Sequence, residues 1–341
     1  MKLLRLTCAG VRGVPDGTYS FTDARTGAPL PVVLVTGGSA SGKTSLLETI
    51  VGAKEAVGSY GGSLDPMRLR RPGAHGARIT ATWLLSDAER DHAAIEQPEH
   101  TVTWELGTGA PRAQVEPELR RLFSSYSRAP GRGKLEYFPA DRRIVAGPRA
   151  AFGQPSEDAL PRLRATRDPQ KYACLIDGLR EAALTHAATA AQVLSERGIA
   201  LRQNVPDALQ PYKDAVAAML PELRLRGFDL ADEGGLCFLR RTLDDHAALA
   251  ELSESERQGV LFALAFRYFG LEESLVLIDE PELHIHAADR VRFLRALVGL
   301  GTGNQLIVAT GAAELVQAAA PGQVIDLATR GRREITAPVK V

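Results

Sequence analysis

Apolar residues follow two different spacings along this chain, and each spacing predicts one kind of element. Short segments in which apolar and polar residues alternate, or in which β-branched residues follow one another, predict strands. The predicted strands are residues 3–8, 17–22, 32–36, 78–85, 100–106, 223–230, 236–243, 275–279, 305–310 and 324–327.

Other segments place apolar residues three and four positions apart and contain few β-branched residues, which predicts helices. The predicted helices are residues 43–54, 170–197, 207–220, 253–269, 287–300 and 312–319. Residues 58–76 are rich in glycine, proline and arginine and predict a loop.

The order of these elements indicates an α/β fold. Strands and helices alternate through the final third of the chain, which is typical of a parallel sheet. Residues 78–85 and 100–106 alternate like the half-buried strands of an antiparallel pair, and the glycines within residues 232–235 predict a hairpin turn. We therefore expect a mostly parallel core sheet, an antiparallel β subdomain and an inserted helical lobe.

One strand-to-helix junction carries a phosphate-binding motif. Residues 37–44, GGSASGKT, match G-x-x-x-x-G-K-[ST] and lie between an apolar strand and a helix. In such a loop, backbone N–H groups and the helix N-terminus bind phosphate oxygens. Lys43 would reach the β and γ phosphates, and Thr44 would offer a hydroxyl to Mg²⁺. The alternative, a glycine-rich turn that happens to precede lysine, does not explain the strand and helix on either side. The predicted nucleotide-binding residues are Gly37, Gly38, Ser39, Ala40, Ser41, Gly42, Lys43, Thr44 and Ser45.

A second motif is a buried strand that ends in two acids, LVLIDEP at residues 275–281. An aspartate at the carboxyl end of a strand beside the phosphate-binding strand can hold Mg²⁺, and the next carboxylate can orient or deprotonate water. An acidic strand end at the surface is the alternative. Together with the P-loop, the motif implies ATP hydrolysis with Lys43 and Glu280 as catalytic residues. Thr44 and Asp279 would be the protein ligands of Mg²⁺.

A third motif opens the helix at residues 253–269. Ser253 and Glu256 have the spacing of a capping box. A capped helix N-terminus can also receive an anion, so the structural and functional interpretations are compatible.

These three motifs, in this order, resemble the ABC-type ATPase heads of the SMC-like and RecF-like group. The LIDEPELHIH segment is most similar to short bacterial members that carry DEPELHLHP, a group that includes the overcoming-lysogenisation-defect ATPases. The resemblance covers residues 1–55 and 245–328. It implies a homodimer that sandwiches two ATP molecules, with Ser253 contacting the nucleotide on the opposite head.

The same resemblance implies further contacts with nucleotide. Arg12 occupies the place of an early arginine that such heads direct at the nucleotide, although a solvated turn arginine explains it equally well. Residues 137–142, YFPADR, resemble a strand-and-arginine segment that reaches the site. We expect an ATPase core formed by residues 1–110 and 245–341, and an inserted basic, helical lobe with a β-hairpin formed by residues 111–244.

Two positions depart from the family pattern. Ser255 stands where glycine is usual, which puts in question the close approach of backbone to the γ-phosphate. Gly311 stands where a switch histidine is usual, so slow hydrolysis or help from another residue is expected. His284 and His286 resemble the family's histidines after the acidic strand, and two histidines alone are a weak basis for a metal site.

One region of the chain carries an excess of basic residues, although the chain as a whole has no net charge. The chain carries 41 basic and 41 acidic residues, so its net charge indicates no polyanionic partner. Residues 112–171 nevertheless contain thirteen basic residues against seven acids, which predicts either a surface for DNA or RNA or a solvated face. The thirteen are Arg112, Arg120, Arg121, Arg128, Arg132, Lys134, Arg142, Arg143, Arg149, Arg162, Arg164, Arg167 and Lys171.

The remaining features concern the setting of the protein. At 341 residues and 45% hydrophobic content, the chain can bury a substantial core. Cys8, Cys174 and Cys237 lack the spacing of metal ligands and fit reduced thiols. No apolar stretch approaches the length of a membrane span, so we expect no membrane insertion and a cytoplasmic location.

Three functions fit these residues. The first is a dimerising, ATP-hydrolysing head that switches a partner protein or a nucleic-acid complex, as in DNA repair or phage defence. The second is a regulatory nucleotide-binding module with little turnover, favoured by Gly311 and Ser255. The third is the ATPase subunit of a membrane transporter, which the DEPELHIH segment and the long distance between P-loop and signature helix disfavour.

Overall fold

The computed structural model describes residues 1–62, 65–107, 112–129, 132–144, 160–197, 206–228, 235–242 and 244–328. Its strands are β1 Lys2–Ala9, β2 Gly17–Ser20, β3 Val32–Thr36, β4 Ala77–Leu84, β5 Glu99–Leu106, β6 Arg112–Ala113, β7 Leu135–Phe138, β8 Leu223–Phe228, β9 Leu236–Arg240, β10 Asp245–Ala248, β11 Leu275–Asp279, β12 Gln305–Ala309 and β13 Val324–Asp326. Its helices are α1 Lys43–Val57, α2 Asp87–Ala93, α3 Pro117–Ser124, α4 Leu160–Arg164, α5 Ala173–Arg197, α6 Gln210–Met219, α7 Glu254–Tyr268, α8 Arg290–Val298 and α9 Ala313–Ala318.

The core is a five-stranded parallel sheet in the order β13-β3-β12-β11-β7. Val35 of β3 pairs with Ala309 of β12, which in turn pairs with Asp279 of β11. The carboxyl ends of these three strands therefore lie at one edge, which is where α/β sheets bind ligands. This confirms the predicted α/β fold and brings the P-loop and the acidic pair to the same edge.

Alternate residues of the core strands face two different hydrophobic clusters, as the pleat of a strand requires. Val33 and Val35 face a cluster shared with α1 and with a second, antiparallel sheet in the order β2-β1-β4-β5-β6. Leu34 faces the opposite cluster, which contains α5, α6, α7 and α8. Helix α1 thus lies between two sheets, and α7 covers the other face of the core.

The predicted β-hairpin is part of a third sheet, in the order β10-β9-β8, which packs against α6. The predicted strand ends at residues 229–230 and 243, and the turn residues 232–234, lie outside the described residues. Pairing of Ala77 with Leu106 confirms the predicted antiparallel partnership of β4 and β5.

Segment 111–244, predicted to be an inserted lobe, contributes directly to the core. Strand β7 pairs in parallel with β11 and forms one edge of the core sheet. Phe123 of α3 is fully buried in the cluster around α1. The sheet is therefore completed by a strand from the middle of the chain, because β7 offers four buried positions to the edge beside β11. In the part of the chain described, no helix is long and apolar enough to cross a membrane.

Candidate nucleotide site

The P-loop connects β3 to α1 through a left-handed backbone that favours glycine. Gly37 has a φ of 147° and Gly42 a φ of 96°. A Cβ on Gly42 would overlap the carbonyl oxygen of Gly13, so the loop also packs tightly on the turn between β1 and β2. Gly42 is the N-cap of α1 and supplies no side-chain cap, which leaves the first N–H groups of the helix available to an anion.

Lys43 folds back across this loop. Its ammonium donates to the carbonyl oxygens of Gly37 and Gly38, both at 3.0 Å. Residues 38–40 are exposed, so the loop opens to solvent on the side where phosphates would enter. The lysine therefore already lies beside the loop that is predicted to hold the phosphates.

Thr44 and Asp279 meet at the edge of the sheet. The Thr44 hydroxyl donates to Asp279 Oδ2 at 2.8 Å. Burial of the carboxyl raises the pKa of Asp279 to about 6, an effect that the Thr44 hydrogen bond opposes and the neighbouring charge of Glu280 reinforces. Asp279 Oδ1 is also buried, and among the described residues it has no hydrogen-bond partner.

These groups fit a magnesium–nucleotide complex. A carboxylate and a hydroxyl are hard oxygen ligands, and Mg²⁺ commonly takes one or two such protein ligands together with phosphates and water. Asp279 Oδ1 and Ser41 Oγ are buried polar atoms without partners among the described residues, and a magnesium–nucleotide complex would provide partners for them. The same residues contain no cluster of three or more His, Cys, Asp or Glu that could hold a metal by itself.

Glu280 directly follows Asp279, the predicted magnesium ligand. Its φ of 47° is left-handed, an uncommon conformation for a residue other than glycine. Its N–H donates to the carbonyl of Ala309 at 2.8 Å, and its side chain is only half-buried. The sharp backbone turn thus separates the two acids, with Asp279 at the buried strand end and Glu280 nearer to solvent.

A functional candidate missed in the sequence is Glu282. One carboxylate oxygen accepts from the Thr310 hydroxyl at 2.6 Å and from the Gly311 N–H at 2.9 Å. Glu282 therefore ties the segment after β11 to the segment after β12, where relatives are expected to carry a switch histidine. The only available signal was its position two residues after Glu280.

Ser253 caps α7 as predicted. Its hydroxyl accepts from the Glu256 N–H at 3.3 Å, and its own N–H donates to Glu256 Oε2 at 2.7 Å. The Ser255 hydroxyl lies 3.1 Å from that of Ser253. Ser253 is exposed, and its hydrogen bonds among the described residues stay within its own helix turn. Among the described residues, no hydrogen bond joins Ser253 to the P-loop of the same chain.

Arg12 lies next to Gly13, the residue against which Gly42 packs. It is exposed, and its N–H donates to the carbonyl of Leu69 at 2.8 Å. Ser45, at the other side of this contact, has its hydroxyl 2.8 Å from the point where a Cβ on Gly13 would lie. Arg12 is thus beside the P-loop, and contact with nucleotide remains a prediction for both residues.

His284 and His286 are exposed beyond the acidic strand end. His286 Nδ1 accepts from the Ala288 N–H at 3.4 Å, which is a capping contact, and His284 has a φ of 65°. No third ligand joins them among the described residues, so the arrangement does not favour a metal site.

The predicted basic surface is smaller than its charge count suggests. Four of its thirteen basic residues are buried and cannot face a nucleic acid, which corrects that part of the prediction: Lys134, Arg142, Arg164 and Lys171. Lys171 and Arg164 lie 3.3 and 3.7 Å from the buried carboxylate of Glu136, which explains their burial. Seven others are exposed: Arg120, Arg121, Arg128, Arg132, Arg143, Arg162 and Arg167. Arg149 and the side chain of Arg112 lie outside the described residues.

Comparison with known proteins agrees with this geometry. No curated protein sequence matches the chain. Among solved structures, an SMC head bound to the C-terminal winged-helix domain of ScpA is similar, with a TM-score of 0.53 and 14% identity over 96% of this chain and 94% of the other. An Smc head with an extended coiled coil, from Pyrococcus furiosus, bound to the C-terminal domain of ScpA, has a TM-score of 0.50 and 13% identity, over 95% and 93% of the two chains. At these identities the likeness concerns the fold.

A family model for the AAA domain described as "putative AbiEii toxin, Type IV TA system" matches residues 32–310. The match begins at β3 and ends after β12, so it includes both the P-loop and the acidic strand end. Together with the SMC-head fold, it confirms the predicted resemblance to SMC-like and overcoming-lysogenisation-defect ATPases. The chain belongs to this AAA domain family, and its nucleotide-binding fold is that of an SMC head.

Proposed function

We propose that this protein binds and hydrolyses ATP with Mg²⁺ and acts as a head that dimerises around nucleotide. The observation that carries the proposal is the contact between Thr44 and Asp279 at 2.8 Å, beside a P-loop lysine and a buried carboxylate oxygen without a described partner. A hydroxyl and a carboxylate converging beside a phosphate-binding loop form the arrangement in which a P-loop NTPase holds magnesium.

Each residue has a defined part in this proposal. The N–H groups at the start of α1 bind the phosphates, and Lys43 moves from the carbonyls of Gly37 and Gly38 to the β and γ oxygens. Bound magnesium would neutralise charge on the phosphate oxygens. Glu280, half-buried and at the sheet edge, orients a water and accepts its proton.

The capped start of α7 supports the proposed dimerisation. Its N-terminus is capped by Ser253, which is exposed, and Ser255 beside it is half-buried. A helix N-terminus is well suited to an anion, and the nucleotide of a second copy is the anion that the SMC-like resemblance suggests. The dimer would in turn switch a partner protein, in a role of the DNA-repair or phage-defence type.

The central test replaces Lys43 with alanine. We expect loss of fluorescent ATP-analogue binding and of phosphate release, because loop amides alone do not replace an ammonium on the phosphates. Lys213→Ala is a matched control, since Lys213 pairs with Asp207 on the surface at 2.6 Å. Unchanged nucleotide binding and turnover in Lys43→Ala, with the control behaving like the wild type, would refute the proposal.

A second candidate function, nucleic-acid binding through residues 112–171, is supported by one observation. Arg120, Arg121 and Arg128 are exposed on α3 and in the loop that follows, and exposed guanidinium groups can neutralise backbone phosphates.

The slow-turnover alternative is supported by Gly311, whose N–H donates to Glu282 and which has no side chain to act as a switch. ATP turnover measured with and without DNA separates an ATPase that acts on nucleic acid from a slow regulatory module.

A further inference from the structure

Arg142 is a buried guanidinium that donates to the backbone carbonyls of both acidic residues. Only 2% of Arg142 is exposed. Nη1 donates to the carbonyl of Asp279 at 2.7 Å, and Nη2 to the carbonyl of Glu280 at 3.0 Å. Nη1 also lies 3.1 Å from the carbonyl of Pro139. The planar fork of the side chain thus binds two consecutive peptide groups through two separate nitrogens, whereas a lysine offers one nitrogen on a shorter side chain.

These two peptide groups flank a backbone conformation that is unfavourable for a residue other than glycine. The chain leaves β11 at Asp279 and turns through the left-handed φ of 47° at Glu280. A non-glycine residue in this region is held there by its surroundings, at a cost of roughly 1 kcal/mol or more. Arg142 donates to the carbonyls of Asp279 and Glu280, while the Glu280 N–H donates to the carbonyl of Ala309. The direction of the Glu280 side chain is therefore set in part by Arg142.

Helix α7 holds Arg142 in two ways. Gln258 Nε2 donates to the carbonyl of Arg142 at 3.3 Å. The ring of Phe262 lies 4.7 Å from the guanidinium carbon, which is cation–π distance. Gln258 and Phe262 are four positions apart, so one face of α7 makes both contacts. The same helix begins at Ser253, the residue proposed to meet the nucleotide of a second copy.

The contact between α7 and Arg142 has unused hydrogen-bonding capacity. Gln258 Oε1 and Arg142 Nε are both buried, and neither has a hydrogen-bond partner among the described residues. Buried polar atoms are normally hydrogen-bonded. Because one of these two atoms is an acceptor and the other a donor, the two side chains could adopt a second arrangement in which they bind each other. A small movement of α7 would therefore form a hydrogen bond between Arg142 Nε and Gln258 Oε1 while breaking the one between Gln258 Nε2 and the Arg142 carbonyl.

We propose that Arg142 is the positioning residue of Glu280 and that it couples α7 to the acidic end of β11 within one subunit. Nucleotide of a second copy arriving at the N-terminus of α7 would shift Gln258 and Phe262, and through Arg142 would set the backbone on which Glu280 stands. The inference rests on the proposed function, since it needs ATP in a dimer, and it adds a path by which one site senses the other.

The test compares three single variants. Arg142→Lys keeps the charge but replaces the two separate donor nitrogens by one on a shorter side chain, and Gln258→Leu keeps a side chain of similar size but removes the amide. Arg143→Lys is the matched control, because Arg143 is adjacent and exposed. We expect Arg142→Lys to lower kcat about tenfold or more while the Kd for a fluorescent ATP analogue changes less than about twofold. Gln258→Leu should remove the dependence of the rate on occupation of both sites, lowering the Hill coefficient for ATP towards one.

Hydrogen exchange provides a second measurement that does not depend on turnover. The amides of Glu280, Leu283 and Ile285 are hydrogen-bonded, to Ala309, Glu280 and Glu282 respectively. Without nucleotide, Arg142→Lys should speed their exchange about tenfold, and Arg143→Lys should not. If the wild type proves inactive but this difference is seen, the hydrolysis proposal fails and the positioning role stands.

Two results would overturn the inference. One is unchanged exchange at residues 280–285 in Arg142→Lys with wild-type kcat. The other is a parallel loss of analogue binding and kcat in Arg142→Lys, which would assign Arg142 to nucleotide binding. If Arg142→Lys does not fold, Gln258→Leu decides: exchange at residues 280–285 and a Hill coefficient both equal to those of the wild type would refute the coupling.

Discussion

The hydroxyl of Thr44 lies 2.8 Å from Asp279 Oδ2, although the two residues are 235 positions apart in the chain. The hydrogen bond uses one carboxylate oxygen and leaves Oδ1 without a partner among the described residues. The fold therefore brings the two protein ligands proposed for magnesium into direct contact. Preassembled ligands lose less conformational freedom on binding, which favours a tight magnesium–nucleotide complex.

The pH dependence of magnesium binding is the first prediction. Burial raises the pKa of Asp279 to about 6, so in the absence of metal the carboxyl holds a proton below that pH. Magnesium must displace this proton, so the contribution of Mg²⁺ to ATP-analogue affinity should fall as pH drops below about 6. Titrations with and without Mg²⁺ between about pH 5 and 8 measure it. A magnesium effect that is constant over this range would contradict the prediction.

The same pKa shift predicts a stability difference with a defined sign. Because the folded state raises the pKa of Asp279, it binds more protons than the unfolded chain, and stability is lost as pH rises from the ordinary aspartate range to about 6. Asp279→Asn removes this loss. Its melting temperature relative to the wild type should therefore increase over that pH window and then level off. It should also lose the Mg²⁺ effect at every pH.

Replacement of Glu280 by glutamine tests hydrolysis and dimerisation together. The amide keeps the shape of the carboxylate but cannot accept the proton of water, so ATP should stay bound while cleavage slows by about 10²-fold or more. The ATP-loaded variant should then accumulate as a dimer, which light scattering measures. Glu99→Gln, at the exposed start of β5, is the control. An ATP-loaded Glu280→Gln protein that remains monomeric would count against the sandwich arrangement.

Thr310→Val tests the link made by Glu282. The valine removes the hydroxyl that donates to Glu282 Oε1 at 2.6 Å and accepts from the Ala312 N–H at 3.0 Å. The other oxygen of Glu282 is buried and has no partner among the described residues. We expect a loss of about 1–3 kcal/mol in the free energy of unfolding, measured by urea denaturation. In Thr103→Val, which removes a hydroxyl paired with Thr80 on an exposed face, the loss should be much smaller. Equal losses in the two variants would show that the hydrogen bond to Glu282 stabilises the fold no more than the exposed one between Thr103 and Thr80.

The basic surface is tested by charge reversal. Arg120, Arg121 and Arg128 changed together to glutamate should weaken binding of duplex and single-stranded DNA at low salt, and wild-type affinity should fall steeply as salt rises. ATP-analogue binding should be unchanged, because none of the three contributes to the P-loop. Reversal at Arg224, Arg226 and Arg292, which are exposed elsewhere, controls for net charge. Absence of DNA binding by wild-type or ATP-loaded Glu280→Gln protein would leave this face as a solvated or protein-binding surface.

Local pattern was sufficient for much of the fold. Strands β3, β11 and β12 are short apolar runs, because both faces of a central parallel strand are covered. Their predicted and observed positions agree, as do the start of α1 at Lys43 and the capping box of α7 at Ser253. Each of these features depends on residues within a few positions of one another, which is the range over which a sequence pattern carries information.

Charge was a poor guide to exposure. Arg142, Arg164 and Lys171 increased the local count of basic residues, but they are buried against backbone carbonyls and the carboxylate of Glu136. Burial of a charge depends on partners supplied by other elements, and no local pattern records them. Glu282 was missed for the same reason, because its partners Thr310 and Gly311 follow a different strand.

By itself, the sequence determined the alternating strands and helices of the final third of the chain, the phosphate-binding loop and the acidic residues that end β11. Each follows from local spacing, backbone freedom at glycine and the burial of apolar runs. Only the tertiary structure decided that Thr44 meets Asp279, that Arg142 grips the backbone of Glu280 and that α7 touches Arg142. Those contacts join segments far apart in the chain, and they form because the order β3-β12-β11-β7 brings the carboxyl ends of separate strands to one edge.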